Sequence, residues 1–408
     1  MAVGKGRLPE LFPVAGIRLG TVSAGIKTPG RKDLVLIEAQ VGSTCAAVFT
    51  QNAFCAAPVT VAKEHLRDCH ADVRYLLINT GNANAGTGER GIELAQSCAA
   101  AVAQLAGVSS RDVLPFSTGV IGEPLPAEKI HTALPAAFEA LDSDGWGEAA
   151  SGILTTDTRP KGASVKFSCD GREYVVTGIA KGAGMIRPNM ATMLAYLATD
   201  MAVEKTVLQH LLSAAVETSF NRITIDGDTS TNDACVLLST GEAGNAALAD
   251  LNSEVGIALR EALESVCLKL AQGLVRDGEG ASKFVTVLVK GGNSEQECLD
   301  VAFTIAHSPL VKTALFASDP NWGRLLAAIG RAGVADLAVD KVGVYLNDIL
   351  IAEHGCRAAT YTEEQGVVAM APEDIEIRIE LNRGQHEASV WTSDLSYDYV
   401  RINAEYRT

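Results

Sequence analysis

The run Gly178-Ile179-Ala180-Lys181-Gly182-Ala183-Gly184-Met185-Ile186-Arg187-Pro188-Asn189-Met190-Ala191-Thr192-Met193-Leu194 constrains this chain more than any other stretch. Its three glycines let the backbone take positive φ and approach another group closely, and Pro188 fixes its own φ and biases Arg187 to extended geometry. Thr192 then enters the apolar run Met193-Leu194-Ala195-Tyr196-Leu197-Ala198, so a hydroxyl stands where a loop turns into buried structure. Two readings fit. In one, a glycine loop leads into a β-strand and Thr192 is a β-branched strand residue. In the other, the Ala191–Thr192 bond is cut, and Thr192 becomes a new N-terminus whose hydroxyl is a nucleophile and whose α-amine is its base. An α-amine titrates near ~7.7–8 and accepts a proton at neutral pH without help from a histidine. A threonine in mid-chain has no such base.

A chain of 408 residues can bury large cores and is expected to hold more than one lobe. With 47% hydrophobic but only 5% aromatic residues, it is rich in small aliphatic side chains rather than in stacking platforms. No apolar run approaches the ~18 residues of a membrane span. The start Met1-Ala2-Val3-Gly4-Lys5-Gly6-Arg7 has no apolar core behind its charges and does not read as a secretory signal, so a cytoplasmic protein is expected. Nine cysteines without a C-x-x-C pair suggest buried thiols rather than a zinc site or a disulfide framework. The net charge of -15 is unevenly placed: residues 1–191 carry 18 basic and 18 acidic side chains, residues 192–408 carry 16 and 31. The acidic excess, with no basic stripe interleaved with aromatics, argues against a nucleic-acid partner.

Along the chain, Leu34–Ile37, Ala46–Phe49, Val59–Val61 and Tyr75–Ile78 read as short strands, the last running into the loop Asn79-Thr80-Gly81-Asn82-Ala83-Asn84-Ala85-Gly86. That loop lacks the lysine of a phosphate-binding P-loop and reads as a tight, asparagine-bonded turn. Glu89–Leu105 has apolar residues at helical spacing and a stop at Gly107. Ser117-Thr118-Gly119-Val120-Ile121-Gly122 reads as a sharp turn, in which a hydroxyl beside a glycine can aim an O–H and an N–H at one point, as an oxyanion hole requires; an ordinary turn fits equally. Ile130–Leu141 reads as a helix, and the hydroxyl cluster Thr155-Thr156-Asp157-Thr158 as a polar edge or a carboxylate or amide contact. Val165–Cys169 and Tyr174–Thr177 make a hairpin through Asp170-Gly171 that delivers the chain to Lys181. Beyond Thr192, helices are expected over Glu204–Phe220, with Asp200 as its cap, over Glu254–Leu274, and on both sides of Asp319–Gly323. The run Asp226–Asp233 imitates a calcium loop but lacks its central glycine and closing glutamate, so no metal is assigned. Glu279 lies between Gly278 and Gly280 before the strand Val285–Val289, and the rest is strand-rich, with a frayed tail expected after Val400.

The segment from Lys181 to Leu194 resembles the self-processing site of the ornithine acetyltransferase (glutamate N-acetyltransferase) family of arginine biosynthesis, and the resemblance extends over essentially the whole chain. It implies an α/β protein of packed β-sheets flanked by helices, with a self-processed, N-terminal-nucleophile-like architecture. It implies cleavage between Ala191 and Thr192 into an α chain, 1–191, and a β chain, 192–408, that stay together as an α2β2 heterotetramer. The reaction implied is acetyl transfer from N-acetylornithine to glutamate through an acetyl-Thr192 intermediate, with no metal or organic cofactor. Acetyl-CoA as a further donor stays open. The oxyanion pair falls on Thr118 and Gly119, and the substrate contacts on Thr158 (or Thr156), Lys181, Glu279, Asn403 and Thr408, with the chain's end closing over the site. The alternatives are an N-terminal-nucleophile amidohydrolase or aminopeptidase, in which water takes the acyl group, and a non-catalytic binding module with Thr192 uncut.

Overall fold

The computed structural model describes residues 2–4, 6–68, 73–187 and 193–405. Ala191, Thr192 and Thr408, with Pro188–Met190, lie outside the described residues. The chain forms two compact units: residues 7–221 with 228–274, and residues 222–227 with 275–406 and the first six. The Ala191–Thr192 bond therefore falls within the larger unit's sequence and not at the boundary between units.

In the larger unit the elements are β1 (Ile17–Val22), β2 (Leu34–Ala39), β3 (Thr44–Phe49), α1 (Ala57–Asp68), β4 (Tyr75–Asn82), α2 (Gly88–Ala106), β5 (Val113–Val120), α3 (Ala127–Glu139), α4 (Trp146–Gly152), β6 (Lys161–Cys169), β7 (Arg172–Lys181), β8 (Leu194–Thr199), α5 (Lys205–Thr218), β9 (Ala234–Ser239) and α6 (Glu254–Arg276). One sheet runs β1-β2-β4-β5 and a second β3-β9-β8-β7-β6. Side chains on a strand alternate between faces, and β2 shows what this does. Val35 and Ile37 enter a core shared with Ile179, Leu194, Tyr196 and Val236 of the second sheet, whereas Leu34 and Leu36 face Ala99, Val102, Ile130 and Leu134 of α2 and α3. On the second sheet's other face Gly178 leaves room for Leu197 and for Leu270 of α6, atoms that a Cβ would meet at 3.0–3.1 Å. The result is four layers, helices, sheet, sheet, helices, with each apolar face buried against another.

The smaller unit contains β10 (Phe284–Gly292), α7 (Glu295–Ala306), α8 (Pro309–Phe316), α9 (Trp322–Gly330), β11 (Gly343–Leu346), β12 (Ile349–Glu353), β13 (Cys356–Arg357), α10 (Glu363–Met370), β14 (Asp374–Glu380), β15 (His386–Ser393) and α11 (Tyr397–Glu405). Its sheet runs β13-β12-β11-β14-β10-β15, with β10 and β14 parallel. Val285, Val287 and Val289 and Ile375, Ile377 and Ile379 form one buried face, covered by Cys298, Val301 and Ile305 of α7 and by α8 and α9. No described helix in either unit is long and apolar enough to cross a membrane.

Four expectations are corrected. Val59–Val61 is not a strand but part of α1, where Val59 and Ala62 are buried by tertiary packing that outweighs β-branched preference. Ser117–Val120 is the end of β5 rather than a turn. Asp200 does not cap α5, whose N-cap is Glu204 without a side-chain bond; it accepts instead from the amide of Val175 at 3.0 Å. The residues after Val400 continue α11 to Glu405.

Candidate active site

The parallel strands β4 and β5 end together, and their register shifts at Gly81 and Asn82. Here the two backbones approach so closely that a Cβ on Gly119 would lie 2.3 Å from the carbonyl carbon of Gly81 and 2.5 Å from the amide nitrogen of Asn82. Gly119 also sits at φ 137°, a conformation that side-chain-bearing residues rarely adopt. Both facts require glycine beside Thr118. An amide network fixes this strand end. Ser117 Oγ donates to Asn79 Oδ1 at 2.6 Å, Asn79 Nδ2 to the carbonyl of Asn82 at 2.9 Å, and Asn232 Nδ2 to the carbonyls of Ala83 and Ser117 at 2.6 and 2.9 Å. Because Asn232 precedes β9, it ties the end of the first sheet to the second.

Lys181 ends β7, opposite Leu194 of β8. Its Nζ donates to Thr118 Oγ1 at 3.2 Å. An ammonium only donates, so the Thr118 oxygen accepts from it and the threonine's own O–H is left to donate elsewhere. Chemically, the strand end offers a hydroxyl donor, a backbone at a glycine, and a fixed cation within one hydrogen bond of each other.

Immediately after Lys181, the amide of Gly182 donates to Asp157 Oδ1 at 2.7 Å. The Asp157 side chain is wholly buried and also accepts from the amide of Thr155 at 3.0 Å and from Lys161, whose Nζ in turn reaches the Gly182 carbonyl at 3.3 Å. Burial alone would raise this carboxyl, but the charges of Lys161 and Lys181 and the bonds it accepts hold it well below the usual carboxylate range. Asp157 is thus a fixed anion clamping the start of the 182–193 segment. Of its hydroxyl neighbours, Thr156 is half-buried and Thr158 exposed.

Asp233, just before β9, is 3% exposed, and its Oδ2 has no hydrogen-bond partner among the described residues. Burial pushes its carboxyl well above the usual range, with the Ser230 hydroxyl and the Lys181 charge pulling the other way. Two buried aspartates around one lysine are therefore driven apart, one held ionised and one favouring its proton.

In the smaller unit, Asn403 of α11 donates from Nδ2 to Glu279 Oε2 at 2.7 Å. Gly280, at φ 70°, lets the start of α11 approach: a Cβ there would lie 2.5 Å from the Tyr399 amide and from Ser396 Oγ. Tyr399 also donates its hydroxyl to Asp226 Oδ2 at 3.2 Å, and Asp394 accepts from the amides of Ser282 and Lys283 at 2.8 and 2.9 Å. The polar run 226–233 thus supplies Asp226 to one unit and Asn232 and Asp233 to the other.

Of the sequence-designated residues, Thr118, Gly119 and Lys181 come together at one strand end and Glu279 and Asn403 form a bonded pair, while Thr158 lies beside the Asp157 clamp. Asp157, Lys161, Asn232 and Asp233 were not singled out by sequence. Asp157 and Lys161 carry a sequence signal, opposite charges four residues apart amid hydroxyls, but only burial shows that they must pair. Cys98 and Cys267, pushed by burial to about 12, carry no thiolate at neutral pH.

Comparison with known proteins adds a family. The model of the ArgJ family matches residues 18–408. The arginine biosynthesis bifunctional protein ArgJ of Pseudomonas fluorescens is 60% identical over 408 residues, covering 100% of both chains. Among solved structures, ArgJ of Bacillus halodurans is 37% identical over 51% of this chain and 96% of its own, with a TM-score of 0.48. The ornithine acetyltransferase of Mycobacterium tuberculosis, solved with ornithine, is 33% identical over 45% of this chain and 99% of its own, with a TM-score of 0.39.

Proposed function

The chain belongs to the ArgJ family, and we propose that it is the bifunctional acetyltransferase of arginine biosynthesis, moving an acetyl group from N-acetylornithine to glutamate through Thr192. The observation that carries the proposal is the Lys181–Thr118 bond at the end of β5, beside the glycine that permits the close backbone approach. Thr192 Oγ attacks the acetyl carbonyl while its α-amine takes the proton. The developing oxyanion is held by the Thr118 hydroxyl and the backbone at Gly119, with Lys181 fixing that hydroxyl. Ornithine leaves, and the amine of glutamate takes the acetyl group from the threonine ester. Glu279, held by Asn403, suits an amino group, and Thr158, Lys181 and Thr408 suit the polar ends shared by the two amino acids. Acetyl-CoA as a second donor belongs to the same proposal.

The strand register supports a cut chain that holds together. Lys181 and Leu194, which flank the Ala191–Thr192 bond in sequence, are paired, and β8 is paired on both sides, to β7 and to β9. Cleavage between Ala191 and Thr192 leaves β7 in one fragment and β8 in the other, paired in the same sheet, so fragments 1–191 and 192–408 are expected to co-purify, assembled as α2β2. A denaturing gel of the wild type should show two bands and Thr192→Ala one, without activity. Initial-rate plots with N-acetylornithine and glutamate should be parallel. A Thr192→Ala chain that is cut and active overturns the proposal, and release of free acetate in place of acetylglutamate makes the protein a hydrolase.

A further inference from the structure

The donors assigned to the oxyanion sit at the end of β5, which among the described residues is the edge strand of its sheet, with β4 as its one strand neighbour. A hydroxyl and a backbone N–H stabilise a developing charge only where they are aimed beforehand, and the ladder holds these two from one side. Asn232 holds the strand end from the second sheet. Its Nδ2 donates to the carbonyls of Ala83 and Ser117 at 2.6 and 2.9 Å, and its Oδ1 accepts from Thr231 Oγ1 at 2.6 Å. At 6% exposure, with both amide N–H groups and the oxygen engaged, the side chain has one orientation. Ala83 follows β4 directly and Ser117 precedes Thr118, so one amide group spans the two strand ends where their register shifts. The Ser117 carbonyl and the Thr118 N–H belong to one planar peptide, and holding the carbonyl fixes the plane from which Thr118 projects. On the other flank Gly119 is locked against Gly81 and Asn82. Asn232 is itself aimed by a pinned run. The carbonyls of Thr229, Ser230, Thr231 and Asp233 accept from Asn52 Nδ2 at 3.0 Å, Thr50 Oγ1 at 2.8 Å, the Ala56 amide at 2.9 Å and the Thr50 amide at 3.0 Å.

We infer that Asn232 is a positioning residue for acetyl transfer. It bonds to neither the Thr118 side chain nor the Gly119 backbone; it orients the peptide that carries them, and so acts on the transition state and not on the binding of either amino acid. The inference rests on the reading of Thr118 and Gly119 as the oxyanion pair. Acetyl transfer to the enzyme and from the enzyme to glutamate both pass through a tetrahedral oxyanion on the same acetyl carbon, so loss of Asn232 slows both half-reactions alike.

Rapid-quench measurements on the whole protein, with rates referred to the cut fraction, follow ornithine released from N-acetylornithine and acetylglutamate formed when glutamate meets preformed acetyl-enzyme. Asn232→Ala should lower both rates by a similar factor, roughly 10²-fold for a displacement near 1 Å, with the half-saturating concentrations of both substrates unchanged. Asn232→Ser, which keeps one donor, should retain more of both rates, and it carries the comparison where the alanine variant does not fold. Asn245 is the structural control. It lies beyond Thr199, the end of β8 opposite Leu194, and its Nδ2 also donates to two carbonyls, of Ala202 and Ala246 at 3.0 and 2.8 Å. Asn245→Ala should lower the urea midpoint and leave both rates as they are. Wild-type rates in a folded Asn232 variant overturn the inference. So do a raised half-saturating concentration at unchanged rate, slowing of one half-reaction alone, or an equal loss of rate in Asn245→Ala. Wild-type rates in Thr118→Ala would instead refute the oxyanion reading beneath it.

Discussion

Replacing Asp157 with asparagine tests the clamp behind Lys181. The side chain is wholly buried and accepts from the amides of Gly182 at 2.7 Å and Thr155 at 3.0 Å and from Lys161. Asparagine keeps one oxygen, so one of the two amides meets an NH2 group, an unmet buried donor costing about 1–3 kcal/mol. Lys161, 5% exposed, loses its counter-charge. Removing one partner of a buried pair costs about 3–5 kcal/mol in all. Asp157→Asn should therefore unfold at a markedly lower urea concentration at pH 7. The linkage has a definite sign. The folded-state pKa lies below the unfolded one, so the carboxylate's contribution is complete above the usual value near ~3.9 and disappears as pH falls toward the folded value. The gap between wild type and variant should stay constant from about pH 5 to 8 and narrow only in acid. Function should move too. Gly182 follows Lys181, whose Nζ is 3.2 Å from Thr118 Oγ1, and displacement of about 1 Å at such a group costs roughly 10²-fold in rate. With activity referred to the cut fraction, kcat/KM should fall by that order. A variant within about 1 kcal/mol of wild type and with unchanged kcat/KM would show that Asp157 positions nothing.

Two further perturbations probe each unit alone. Gly119→Ala places a Cβ 2.3 Å from backbone that cannot yield at a φ of 137°, so it should lower the urea midpoint and abolish acetyl transfer; wild-type values for both would refute the close approach. In the smaller unit, burial lowers Lys312 from 10.5 to about 8 despite Asp394 and Asp226, so below that pH the folded state bears the cost of a buried charge. That cost is relieved as pH rises from 8 to 10.5, and over this window wild type should gain about 3 kcal/mol relative to Lys312→Met. Urea unfolding of both chains at pH 7.5 and about 10.5 measures it, and taking the difference cancels the ionisation of cysteines exposed on unfolding. An equal difference at both pH values would mean that Lys312 keeps its ordinary affinity for protons.

Much of the fold is local in origin. Apolar spacing and the Gly107 stop set α2, the Asp170-Gly171 turn sets the β6–β7 hairpin, and alternating or continuous aliphatic runs set β2, β8, β10 and β14. These depend on interactions within a few residues, which a sequence displays directly. Tertiary structure decided the rest. Val59 and Val61 could pair in a sheet or pack as a helix, and the burial of α1 chose the helix. Ser117–Val120 looked like a turn because Gly119 suits one, yet β4 lay alongside and drew it into a strand. Asp157, Asp233 and Asn232 are ordinary polar residues until distant segments bury them. A charge or amide removed from water must be partnered, must carry a proton, or must be put to use, and which of these holds depends on neighbours that only the folded chain supplies.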